Sequence, residues 1–171
     1  MRWDELDLDK GECLISAERM KSSIRKKAKG EPHLVPLADA AISAIREIEP
    51  LTAHGPLVFP GQRGQGRCIS ENTCRQALRT LGYGNEDHTP HGFRATARTL
   101  LDEAMGVKVE VIEAQLAHRV RDTLGRAYNR TTFAEDRRQM MQGWADYLNV
   151  LAVGENVVPI PHGRRPKTVT F

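Results

Sequence analysis

His91-Gly92-Phe93-Arg94, then Leu116-Ala117-His118, then Gly125-Arg126-Ala127-Tyr128-Asn129-Arg130 form the stretch on which the rest of the chain depends. Two histidines, an arginine and a tyrosine follow one another, with helical patterning between them. His91 and Arg94 are three positions apart, so a helix places them on one face. A guanidinium stays charged and donates in a planar fork, which suits the non-bridging oxygens of a phosphodiester. An imidazole donates a hydrogen bond or moves a proton near neutral pH. A tyrosine oxygen can attack phosphorus and store the bond energy in a covalent ester. These residue types suggest a site that holds a phosphate diester and attacks it with a phenol.

Around this stretch the pattern is helical. Thr89 and Pro90 lead into a helix that starts at His91. Phe93, Ala97, Leu100, Leu101 and Ala104 recur at helical spacing and are expected in the core. Arg94 and Arg98 then lie on the other side with His91, and Gly106 ends the helix. A shorter helix over 108–117, with Val109, Ile112 and Leu116 inward, delivers His118. Residues 119–126 read as a basic turn, and Tyr128 falls in or beside a short helical segment able to move against the core. A last helix over 133–148 has Met140, Met141, Trp144, Tyr147 and Leu148 as its apolar face, which makes Tyr147 a core residue rather than a nucleophile. From Ala152 onward Pro159, Pro161, Gly163 and Pro166 break any element.

On the N-terminal side, Trp3-Asp4-Glu5-Leu6-Asp7-Leu8 alternates loosely before an Asp9-Lys10-Gly11 turn. Cys13-Leu14-Ile15 and His33-Leu34-Val35-Pro36-Leu37 read as the two strands of a hairpin with a long charged tip. A helix over 38–49 follows, capped by Asp39, striped by Ala41, Ile42, Ile45 and Ile48, and ended by Pro50. Leu57-Val58-Phe59 is a short extended segment. The Gly- and Arg-rich loop over 61–67 has no phosphate-loop signature, which argues against a nucleotide cofactor. Ser70 caps a helix to about Leu81, and Gly82 and Gly84 frame Tyr83, read as a packing residue.

The 171 residues suffice for one domain with a real core, and 40% hydrophobic with 27% charged residues is a globular balance. No apolar run approaches the roughly 18 residues of a membrane helix, and no basic-then-apolar leader opens the chain. Cys13, Cys68 and Cys74 have no paired or zinc spacing, so reduced thiols and no metal are expected. A net charge of +3 is mild, but the basic residues cluster: Arg19, Lys21, Arg25, Lys26, Lys27 and Lys29; Arg63, Arg67, Arg75 and Arg79; Arg164, Arg165 and Lys167. Such clusters suit phosphate contacts, although any one of them alone reads equally as solvated surface.

As a set, these motifs resemble the catalytic domain of the tyrosine recombinases, the phage-integrase family, in its prophage and satellite-phage branch. The match includes the His91-x-x-Arg94 box, His118 in Gln115-Leu116-Ala117-His118, and Tyr128 ten positions later. Leu81-Gly82-Tyr83-Gly84 also belongs to it, and the resemblance covers about residues 2–150. It implies a mostly α catalytic core with a small antiparallel β-hairpin or sheet, an α+β fold, over residues 1–150, and a tail over 151–171. That tail either docks on a neighbouring subunit or is a disordered terminus. It implies Tyr128 as nucleophile, Arg94 as the phosphate clamp, His91 in proton transfer, His118 as a hydrogen-bond donor and Lys21 as general acid. Lys26, Lys27 and Lys29 remain rivals for that last role.

It further implies recombination and integration at double-stranded DNA attachment sites through a 3′-phosphotyrosyl intermediate. Self-association into a tetrameric synapse, a cytoplasmic setting, and no need of cofactor or metal follow too. Members carry a further arginine upstream of the Trp3 segment; Arg2 lies too close to match it. The chain therefore reads as a C-terminal catalytic fragment, expected to be weak or inactive on DNA. A non-catalytic DNA-binding remnant is the alternative. A type IB topoisomerase shares similar site chemistry but is disfavoured by the surrounding motifs.

Overall fold

The computed structural model describes residues 1–20, 32–62, 66–118 and 133–154. Among these, three short antiparallel strands and five α-helices make the expected mostly α, α+β architecture. Strands β1 (Leu6–Asp7), β2 (Glu12–Ile15) and β3 (His33–Pro36) lie in that order, with Leu6 opposite Cys13 and Ile15 opposite His33. Trp3–Glu5 is a 3-10 turn that leads into β1. The β1–β2 turn forms where expected. Asp7 accepts the Lys10 backbone N–H at 3.0 Å. Gly11 takes φ +65, and a Cβ there would meet the Ile42 side chain at 3.2 Å. The β2–β3 hairpin is present, but Lys21 and the rest of its tip lie outside the described residues.

Helix α1 (Asp39–Thr52) runs through Pro50 instead of stopping there. Proline costs the hydrogen bond its own N–H would make, yet the ladder closes beyond it, with Ala53 N–H on Glu49 O at 2.9 Å. Thr52 Oγ1 adds bonds to Ile48 O and Val58 O. Ile45 is buried and Ile42 and Ile48 half-buried, while Ala41 is exposed and Asp39 makes no capping bond. Val58 is fully buried in an extended segment whose N–H reaches Met1 O at 3.3 Å. Helix α2 (Glu71–Thr80) has Ser70 at its N-cap position, where Ser70 Oγ meets Thr73 Oγ1 at 3.1 Å.

Helices α3 (Gly92–Glu103), α4 (Val109–Gln115) and α5 (Ala134–Val153) build the main core. Leu101, Met105, Val107, Val111, Ile112 and Met140 are its buried members. Ala97, Leu116, Met141, Trp144 and Tyr147 pack on it, and the Trp144 and Tyr147 rings stack at 5.7 Å.

Four further expectations fail in detail. The buried stripe of α3 runs Ala97, Leu101 and onward to Met105. Phe93 lies a turn too early for it, is 59% exposed, and sets its ring edge against His88 at 4.2 Å. In α4 it is Val111, not Val109, that is buried beside Ile112. Leu148 is exposed, and α5 continues a turn past it to Gly154, which ends it at φ +73. Tyr83 is 51% exposed and so is not packed in the core.

Candidate active site

The geometry starts from how α4 ends. Ala117 has φ +57, the left-handed conformation that closes a helix, and it does so without glycine. Its N–H bonds Ala114 O at 3.2 Å, and the next N–H, of His118, bonds Glu113 O at 2.9 Å. This paired closure turns the backbone sharply and throws the His118 side chain back across the last turn of α4.

Arg94, on the first turn of α3, meets it there. One terminal nitrogen of Arg94 donates to Leu116 O at 2.6 Å and to His118 Nε2 at 2.9 Å. The two residues 24 positions apart in sequence are thus brought together on an exposed face. A guanidinium and an imidazole placed this way can both address the oxygens of one incoming phosphate. His91 occupies the N-cap position of α3, is exposed, and its backbone carbonyl accepts the Arg94 N–H at 3.1 Å. Among the described residues its ring has no hydrogen-bond partner. Tyr128 and Lys21 both lie outside the described residues.

Two residues that sequence reasoning passed over hold this site. Glu113 lies five residues before His118, inside α4. One carboxylate oxygen pairs with His118 Nδ1 and the other accepts from Arg98 Nε at 2.9 Å. Partial burial alone would push its carboxyl up. The hydrogen bonds and charges of His118 and Arg98 outweigh this and hold it below the usual carboxylate range. Arg137 on α5 has no exposed surface at all. It donates to Gln115 Oε1 at 2.9 Å and to the Leu34 carbonyl, and its burial lowers its proton affinity. Gln115 in turn offers its carbonyl to His33 Nε2 at 3.2 Å. That separation is outside the spacing of facing helical pairs, so nothing in the sequence marks Glu113, and nothing marks Arg137.

The basic clusters prove partly structural. Arg79 binds the Tyr83, Gly84 and His88 carbonyls and Asn85 Oδ1, holding the loop that leads into α3. Arg19 pairs with Glu5 at 3.0 Å. Arg2 closes a two-bond pair with Asp4 at 2.9 and 3.0 Å. Arg67 and Arg75 stay exposed. Among the described residues, no three metal-ligating side chains cluster and no helix is long and apolar enough to cross a membrane.

Comparison with known proteins identifies the family of the chain. The model of the phage integrase family matches residues 1–135. The integrase of Enterobacteria phage P4 is 37% identical over 156 residues, which is 87% of this chain and 36% of that protein. The prophage integrase IntA of Escherichia coli K12 is 36% identical over 157 residues, 92% of this chain and 36% of the relative. The integrase of Shigella phage Sf6 is 29% identical over 150 residues, 87% and 37% of the two chains. The chain thus spans little more than a third of the length of these curated relatives. No solved structure matches it. With its arginine and histidine converging at the end of two helices and this match over most of its length, the chain belongs to the phage integrase family.

Proposed function

We propose that the chain supplies the catalytic part of a tyrosine site-specific recombinase acting on double-stranded DNA attachment sites. The observation that carries this is the meeting of Arg94 and His118 at 2.9 Å, from separate helices, in a family of integrases. On this reading Tyr128 attacks a DNA phosphorus, forms a 3′-phosphotyrosyl link and releases a 5′ oxygen. Lys21, or a neighbouring lysine of the hairpin tip, protonates that oxygen. Arg94 clamps the non-bridging oxygens, His118 donates to one of them, and His91 assists proton transfer. A second strand's 5′-hydroxyl reverses the step and exchanges strands, within a tetrameric synapse. The side-chain cations neutralise the phosphate and the ester keeps the bond energy, so no metal or nucleotide enters.

A second reading keeps the cations for backbone contact alone, without cleavage; the exposed Arg67 and Arg75 favour DNA binding on either reading. Strand cleavage separates the two. Nicked suicide duplexes from the DNA flanking the gene are incubated with the protein and resolved under denaturing conditions. A covalent adduct that disappears in Tyr128→Phe supports the recombinase. An adduct that survives Tyr128→Phe removes Tyr128 as nucleophile, and tight binding with no adduct favours the non-cleaving reading.

A further inference from the structure

The Glu113 carboxylate has no role in the scheme above, yet it touches two of the residues around the site. Its two oxygens are divided, one to Arg98 on α3 and one to His118 Nδ1. Its backbone carbonyl also takes the His118 N–H at 2.9 Å. His118 is therefore held by the same residue at main chain and ring.

An ionised carboxylate can only accept, so the proton of that ring contact belongs to Nδ1. An arginine can only donate, so Nε2, 2.9 Å from Arg94, accepts in the DNA-free protein. The carboxylate thus decides which ring nitrogen faces the side where Arg94 stands. Its negative charge also offsets the positive charge His118 gains when Nε2 takes a proton from solvent to donate to a phosphate.

We propose that Glu113 is a positioning residue, fixing His118 with Nδ1 protonated and Nε2 turned toward the phosphate-binding side, through a bridge that Arg98 holds in place. This rests on the recombinase reading for its catalytic consequence, but its first readout does not need DNA.

The test uses the whole 171-residue chain labelled with 15N. Long-range 1H–15N correlation reads the protonation of each imidazole nitrogen, and His118→Gln assigns the His118 signals. Wild type is expected to show a protonated Nδ1 on His118. Glu113→Ala is expected to lose that pattern, while Glu113→Gln, whose amide oxygen still accepts, restores it. In single-turnover cleavage, Glu113→Ala is expected to slow adduct formation about tenfold to a hundredfold, the scale for losing a partner that orients a site histidine. DNA affinity should change less than about threefold, and Glu113→Gln should recover part of the rate. A bare Nδ1 in wild type, or an Ala variant with unchanged nitrogen shifts, overturns the proposal. If wild type forms no adduct, the chain does not cleave by itself and the catalytic consequence fails, while the nitrogen shifts still decide the role of Glu113.

Discussion

Ala117 takes φ +57 at the end of α4, a conformation in which an L side chain crowds the following carbonyl. That costs about 1–2 kcal/mol, against about 0.5–1 kcal/mol for ordering a glycine there. Ala117→Gly is therefore expected to stabilise the fold by about 0.5–1 kcal/mol and raise Tm by about 1–4 °C. Calorimetry decides it; a lower Tm would show that the Ala117 methyl contributes packing that outweighs the strain. The same residue explains a limit on what sequence reveals here. The motif ending in His118 could be read as a site, but a left-handed alanine has no sequence signature. The sharp turn that aims His118 at Arg94 was therefore not visible.

Between elements, α3 and α4 are joined through Glu113 by Arg98 and His118. Glu113 is more acidic folded than unfolded. Its stabilising contribution is therefore complete above the unfolded value near 4.3 and disappears as pH falls through the lower folded value. The stability difference between wild type and Glu113→Gln should shrink as pH falls from about 5 toward 3. Denaturant melts at stepped pH measure it. A difference that grows across that window would contradict the bridge. At this scale the sequence was a good guide to type and a poor one to ends. Hairpin, helices and the stripe through Ile45 followed from period and turn residues. Phe93 and Leu148 were misplaced because periodicity gives the face of a helix but not where along it the neighbouring element begins. Val111 replaced Val109 because α4 has only seven residues, too few for the period to fix its phase.

For the molecule as a whole, Arg137 is the joint that sequence hides. An arginine in a helix reads as solvent-facing, yet this one is fully buried and links α5 to the Leu34 carbonyl of β3 and to Gln115 at the end of α4. It thereby ties the hairpin that carries Lys21 to the turn that carries His118. Arg137→Met keeps the stem but leaves buried acceptors without their donor, at about 1–3 kcal/mol each. A loss of about 2–4 kcal/mol of unfolding free energy is expected, read as a lower denaturant midpoint at unchanged slope; a neutral substitution would show that the joint is redundant. Arg138 adds a surface tie, reaching Lys10 O at 2.9 Å and Glu12 at 2.6 Å.

The burial of Cys13 in the central strand has a practical outcome. Its thiol is 2% exposed and burial raises its proton affinity, whereas Cys68 and Cys74 are exposed. A thiol reagent should therefore modify two sulfurs at once and the third only when the sheet opens. The slow third modification is then a built-in clock for opening of the hairpin, read by mass without adding any label. Slowing of that clock when a duplex is added would measure how far binding steadies the strands.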